Sequence, residues 1–95
     1  MNLNKSIAAQ IKNAIFQNKK IEKVILFGSR AKETAREGSD VDLAIVGKDL
    51  HFRDLCDLGA KLDGLDLPYR IDFVPYDKIS NPNLKEHIDR VGIVL

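Results

Sequence analysis

The feature that most constrains this chain is a short run from Gly28 to Asp42. It opens on Gly28-Ser29, directly after the apolar stretch Val24-Ile25-Leu26-Phe27, and reaches Asp40-Val41-Asp42 ten residues later. An apolar, β-branched and aromatic run reads as a strand, and Gly-Ser must turn the chain as it leaves. Asp40 and Asp42 stand at i and i+2, so on a strand both point to one face of a sheet. Like charges about 4 Å apart repel by about 4 kcal/mol at an effective dielectric near 20. A divalent cation would remove that repulsion, and a glycine-led turn after a strand can cradle a phosphate. The run therefore points to a metal-plus-nucleotide site on a strand–turn–strand unit.

The flanking sequence supplies the rest of a sheet. Residues 4–18 read as a helix: Ile7, Ile11, Ala14 and Ile15 recur at helical spacing, and Asn4 can cap the start. Ile21 to Phe27 reads as the first strand and Val41 to Val46 as the second. Between them, Ala31 to Arg36 reads as a short helix starting at Ser29, followed by a loop at Glu37-Gly38-Ser39. A second long helix begins at Asp49 or His51, with Leu55, Leu58, Leu62 and Leu65 as its buried stripe. Tyr69 to Val74 reads as a third strand ended by Pro75. Asn81-Pro82 starts a last helix, with Asn as cap and Pro in the first turn. Leu84, Ile88 and Val91 form its apolar face. Gly92 stands where a left-handed residue commonly closes a helix, and Ile93-Val94-Leu95 can add a final short strand. Helices and strands alternate over one domain, residues 1–95, which predicts an α/β (α+β) fold with a sheet of three to four strands.

The third strand carries Asp72 between Ile71 and Phe73, on the opposite face from those two. If the second and third strands are neighbours, about 4.8 Å apart, Asp40, Asp42 and Asp72 converge. Three hard oxygen donors select Mg²⁺ or Mn²⁺ over zinc, and the two histidines and one cysteine lack zinc spacing. Such a triad suits two-metal phosphoryl or nucleotidyl transfer. Asp72 is placed as general base or as bridge to the second ion. Gly28 admits a phosphate to the backbone, Ser29 offers a hydroxyl and an N–H, and Arg30 offers a cationic phosphate contact.

Each feature has a plainer reading as well. Paired acids occur on solvated edges, Asp72 can be a rim carboxylate, and Gly-Ser is often only a turn. Their combination in one strand order is what carries the argument. His51 and His87 read as surface or capping residues, Cys56 as a small thiol on a helix, and Tyr69 and Tyr76 as packing residues. Glu86 reads as solvated. A P-loop fails because Asp42 and Asp49 occupy the positions that would need Gly and Ser or Thr around Gly47-Lys48. An EF-hand starting at Asp40 fails at Ile45 and His51.

Net charge is +1, which argues against broad nucleic-acid binding, yet residues 1–36 carry +6 and residues 37–95 carry −5. Solvated helix faces explain that asymmetry, as would a basic edge that helps hold a polyphosphate. No apolar run is long enough to span a membrane. Lys5, Gln10, Lys12 and Asn13 interrupt the N-terminal segment, so no secretory signal is expected. With Cys56 as the lone cysteine, a cytoplasmic location is the expectation.

Gly28-Ser29, the ten-residue spacing, Asp40-Val41-Asp42 and Asp72 within Ile71-Asp72-Phe73-Val74 resemble the nucleotidyltransferase superfamily typified by DNA polymerase beta. The small size, Gly-Ser-Arg-Ala and Ser-Asp-Val-Asp-Leu-Ala-Ile resemble its minimal nucleotidyltransferases, the MNT group. The resemblance covers nearly the whole chain. It implies a mixed sheet with helices mainly on one face, and Asp40 and Asp42 as Mg²⁺ ligands. It also implies Asp72 as third carboxylate, and Gly28 and Ser29 at the phosphates of ATP. It implies further that the chain is an antitoxin paired with a helical HEPN protein, some members moving AMP from ATP to a partner tyrosine. Larger relatives carry a helical domain that shapes the acceptor pocket, which these residues lack. The acceptor site is then expected from a partner, from a second copy in a homo-oligomer, or not at all. Two other readings stand beside the enzyme: an antitoxin that neutralises by contact alone, and a stand-alone transferase acting on a small molecule.

Overall fold

The computed structural model describes residues 3–36 and 38–95. The order is α1 (Lys5–Ile15), β1 (Ile21–Phe27), β2 (Val41–Gly47), α2 (Phe52–Asp63), β3 (Ile71–Pro75), α3 (Pro82–Val91) and β4 (Ile93–Val94), with one 3-10 turn at Tyr76–Lys78. The strands form one sheet in the order β3-β2-β1-β4. β1 runs antiparallel to β2 and β4, and β2 runs parallel to β3. A parallel pair needs a crossover, and α2 supplies it.

Local chemistry explains the helix ends. The Asn4 side chain accepts from Ser6 N–H at 2.7 Å, and Asn81 accepts from Asn83 N–H at 2.9 Å with Pro82 in the first turn. Asp54 reaches back to the His51 N–H at 2.8 Å, closing the start of α2. Alternation on β2 buries Val41, Leu43 and Ile45 against α1 and α2, through Ile11, Ile15, Leu58 and Leu62. Each such side chain contributes about 1.5–3 kcal/mol on burial. The opposite sheet face carries Phe27, Asp42 and Ala44. It meets α3, where Ile88 is buried and the His87 ring stands edge-on to Phe27, centroids 6.2 Å apart. Two helices therefore cover one face and the third covers part of the other.

Three expectations need correcting. Residues 31–36 form turns and irregular backbone rather than a helix. Thr34 N–H bonds Ser29 C=O at 3.0 Å, and Glu33 takes φ 61°, a left-handed value that no right-handed helix accommodates. Gly92 is extended (φ −62°, ψ 142°), not left-handed. A Cβ there would run into the Ile88 carbonyl and the Ile25 side chain, so close packing of α3 on β1 is what asks for glycine. β3 begins at Ile71, two residues later than expected. Of the expected loop at 37–39, Glu37 lies outside the described residues.

Candidate active site

The site is built at the ends of β1, β2 and β3. In the parallel register Asp42 is aligned with Asp72, and in the antiparallel register Asp42 is aligned with Phe27, the residue before Gly28. Asp42 and Asp72 thus share the face that α1 and α2 leave open, on strands about 4.8 Å apart. Asp40 is exposed, just before β2 begins. Partial burial pushes the Asp42 carboxyl above its ordinary range. The negative charges of Asp72 and Asp40 push it further, and His87 offsets part of this. Burial is the larger cause of the shift, and the two neighbouring acids add to it.

Gly28 turns the chain directly over Asp42. Its φ is +78°, and a Cβ built there would lie 2.5 Å from Asp42 Oδ2. Glycine is required twice, for the dihedral and for the approach. Ser29 follows as a half-buried residue whose carbonyl accepts from Thr34 N–H.

Arg30 is the only charged or polar residue buried among those described, at 6% exposure. Its Nε and Nη2 donate to Ser39 C=O at 3.1 and 2.7 Å, and its guanidinium lies 4.1 Å from the Tyr69 ring centroid. One side chain thereby ties the Gly28-Ser29 turn to the residue before Asp40 and to the approach of β3. Arg30 is placed to position the site, and Tyr69 packs beneath it. His51 sits at the start of α2, as expected of a capping residue. His87 is different: it faces Phe27 and acts on Asp42, which the periodicity of α3 alone does not reveal.

A divalent cation fits the donors. Asp40, Asp42 and Asp72 offer only carboxylate oxygens, and the turn at Gly28 keeps Cβ out of the space beside Asp42. Among the described residues, no three His, Cys, Asp or Glu side chains are already drawn into a metal-holding cluster. Asp72 Oδ1 instead accepts from Arg70 Nε at 3.1 Å, in an exposed ion pair. Exposed pairs contribute only about 0–1 kcal/mol, so a cation would draw Asp72 away at little cost.

The fold and these carboxylates define the nucleotidyltransferase class. The model of the family "Polymerase beta, Nucleotidyltransferase" matches residues 9–95, and the chain belongs to that family. Among solved structures, a minimal nucleotidyltransferase is similar over 96% of this chain and 94% of its own, with 30% identity and a TM-score of 0.75. A toxin–antitoxin structure with AMP-PNP is similar over 90% of this chain and 69% of its own, with 26% identity and a TM-score of 0.74. A tri-AMPylated HEPN toxin in complex with MNT antitoxin, from Shewanella oneidensis, shares the fold (22% identity, TM-score 0.62, 92% of this chain and 69% of that one). No curated protein matches the sequence. Among the described residues, no helix is long and apolar enough to cross a membrane.

Proposed function

We propose that this chain is a Mg²⁺-dependent nucleotidyltransferase that moves AMP from ATP to a protein hydroxyl. In this reading the acceptor is a tyrosine of a HEPN-type helical toxin, which the chain silences as antitoxin. One observation carries the reading: Asp42 is aligned with Asp72 across β2 and β3, with Asp40 two residues upstream and the Gly28 turn against Asp42. Family membership supports the chemistry, and similarity to the toxin–antitoxin structure with AMP-PNP supports the nucleotide and the partner.

The roles follow from position. Backbone N–H groups at Gly28 and Ser29 bind the outer phosphates, where no Cβ stands in the way. Asp40 and Asp42 would hold the cation, with Asp72 completing the set. When held there, one or two Mg²⁺ ions, or Mn²⁺, would supply charge neutralisation of the triphosphate and activation of the acceptor. The acceptor oxygen attacks the α-phosphorus and forms a new P–O bond. The bond from that phosphorus to the α–β bridging oxygen breaks, and pyrophosphate leaves with the electron pair. Asp72, on the solvent side of Asp42, receives the acceptor proton. Arg30 holds turn and strands in register through Ser39 and Tyr69.

The test is incubation with labelled ATP, Mg²⁺ and the helical partner. Label should reach the partner, and Asp40→Asn or Asp42→Asn should abolish transfer while partner binding persists. Undiminished labelling by both variants refutes the carboxylate roles. Neutralisation of the toxin that needs neither ATP nor the acids would make this an antitoxin by contact.

A further inference from the structure

β3 is the outer strand on its side of the sheet, and its free edge opens onto a cleft of about 400 Å³. Ile71 and Phe73 point to the α2 face and Asp72 points to the other, yet all three line this one cleft. Residues that alternate between the two faces border one space along the side of a strand that no further strand covers, and among the described residues β3 has a neighbour, β2, on one side only. The phase of the ladder says which backbone groups face it. Val41 N–H donates to Arg70 C=O at 2.9 Å, and Val41 is aligned with Ile71. In a parallel ladder of that phase, Arg70, Asp72 and Val74 turn their peptide groups toward β2, and Ile71 and Phe73 turn theirs outward. Two N–H and two C=O groups are thus presented off the sheet as a template for another strand.

We infer that this edge docks an extended, basic segment of a partner protein by strand addition, and that the docking delivers the acceptor hydroxyl. The inference rests on the reading of Asp40, Asp42 and Asp72 as a transfer site, and adds how the acceptor reaches it. A segment paired with Ile71 and Phe73 has one residue directly opposite Asp72. Cross-strand partners lie on the same face with Cβ atoms about 4.5–5.5 Å apart. That residue's hydroxyl is therefore carried beside Asp72, on the face that holds Asp42. Its two neighbours in the segment project the other way, toward Leu62, Leu67 and Phe73.

Charge chooses the occupant. Asp63 and Asp66 line the cleft with Asp72, and Arg70, the one cation among its described lining residues, is engaged by Asp72. Lysine or arginine three positions from the acceptor residue, beyond its two apolar neighbours and on their face, meets Asp63 and Asp66. A nucleic-acid end, carrying a negative charge at each phosphate, meets the same acids as repulsion.

The experiment follows backbone amide exchange by NMR, without nucleotide, on adding nonapeptides. One set has a central tyrosine between apolar residues and flanking lysines, and the matched set has glutamates in place of the lysines. Free, the Ile71 and Phe73 amides should exchange rapidly; slow exchange there means the edge is already covered and overturns the proposal. The lysine peptide should slow both amides by about tenfold or more. Replacing both acids (Asp63→Asn with Asp66→Asn) should weaken its binding by about three- to tenfold. Absence of protection, equal protection by the glutamate peptide, or protection only by a single-stranded oligonucleotide overturns strand addition by a basic segment. Failure of the underlying reading is seen separately, in the labelled-ATP assay. Transfer without protection leaves the acids' role standing and removes the docking edge, and protection without transfer does the reverse.

Discussion

Gly28→Ala is the most informative single change, because its cost divides into two parts that can be measured apart. A non-glycine residue at φ +78° pays about 1–2 kcal/mol for the left-handed backbone. The new methyl also lies 2.5 Å from Asp42 Oδ2, so the carboxylate must rotate off its preferred position, for about 0.5–1.5 kcal/mol more. Together these give about 1.5–3.5 kcal/mol, a fall in Tm of about 6–28 °C for a domain of this size. Only the second part depends on Asp42. In an Asp42→Ala background the methyl meets a Cβ at 3.5 Å, an ordinary contact, and the clash is gone. The penalty of Gly28→Ala should then drop to about 1–2 kcal/mol, a coupling near 1 kcal/mol in the double-mutant cycle. Urea unfolding of the four proteins, read at a common m-value, measures it. An identical penalty in both backgrounds would show that Gly28 does not press on Asp42, and the geometry of the site would fall with it.

Other expectations follow from the same contacts. Arg30→Ala removes two bonds to Ser39 C=O and the stack on Tyr69, and should cost about 2–4 kcal/mol in chemical denaturation; Arg30→Lys should recover only part of it. The Asp42 carboxyl is raised in the folded chain, so its ionisation opposes folding once the pH passes its folded value. Without divalent cation, Asp42→Asn should therefore raise Tm at pH 7, and the gain should vanish as pH falls below about 3.8, the ordinary aspartate value. Added Mg²⁺ should stabilise the unaltered chain and not that variant, as thermal scans would record. Asp54 behaves oppositely. The His51 N–H, Lys20 and Asn18 hold its carboxyl down to about 2. Its stabilising effect is complete above about 3.8 and is lost as pH falls toward 2, so Asp54→Asn should flatten the acid limb of a pH–stability curve.

Much of this arrangement is legible in the residues themselves. Asn4, Asn81 and Pro82 mark helix starts by chemistry that acts within one turn, and the alternation on β2 names its buried face. Asp72 could be placed beside Asp42 only on the condition that the second and third strands are neighbours, a condition that the parallel pairing of β2 with β3 meets. The features that sequence reasoning missed depend on distant partners. Residues 31–36 have helical composition, yet Arg30 is drawn inward to Ser39 and to Tyr69, 39 positions later, and the backbone follows. The glycine at 92 answers Ile25 on another strand, which no helix-closing rule anticipates. His87 enters the site only because α3 crosses the sheet face opposite α1 and α2. Arg30 is legible only as a cation beside a glycine-led turn; its burial and its role as a tie depend on Ser39 and Tyr69.

The central claim is transfer of a nucleotidyl group, and the phosphorus that moves decides it. Two incubations with Mg²⁺ and the helical partner, one with ATP labelled at the α-phosphorus and one at the γ-phosphorus, separate the possibilities. The account expects α-label on the partner, γ-label recovered as pyrophosphate, and neither product with Asp42→Asn. Partner carrying γ-label would mean phosphorylation, and would contradict the account at its centre.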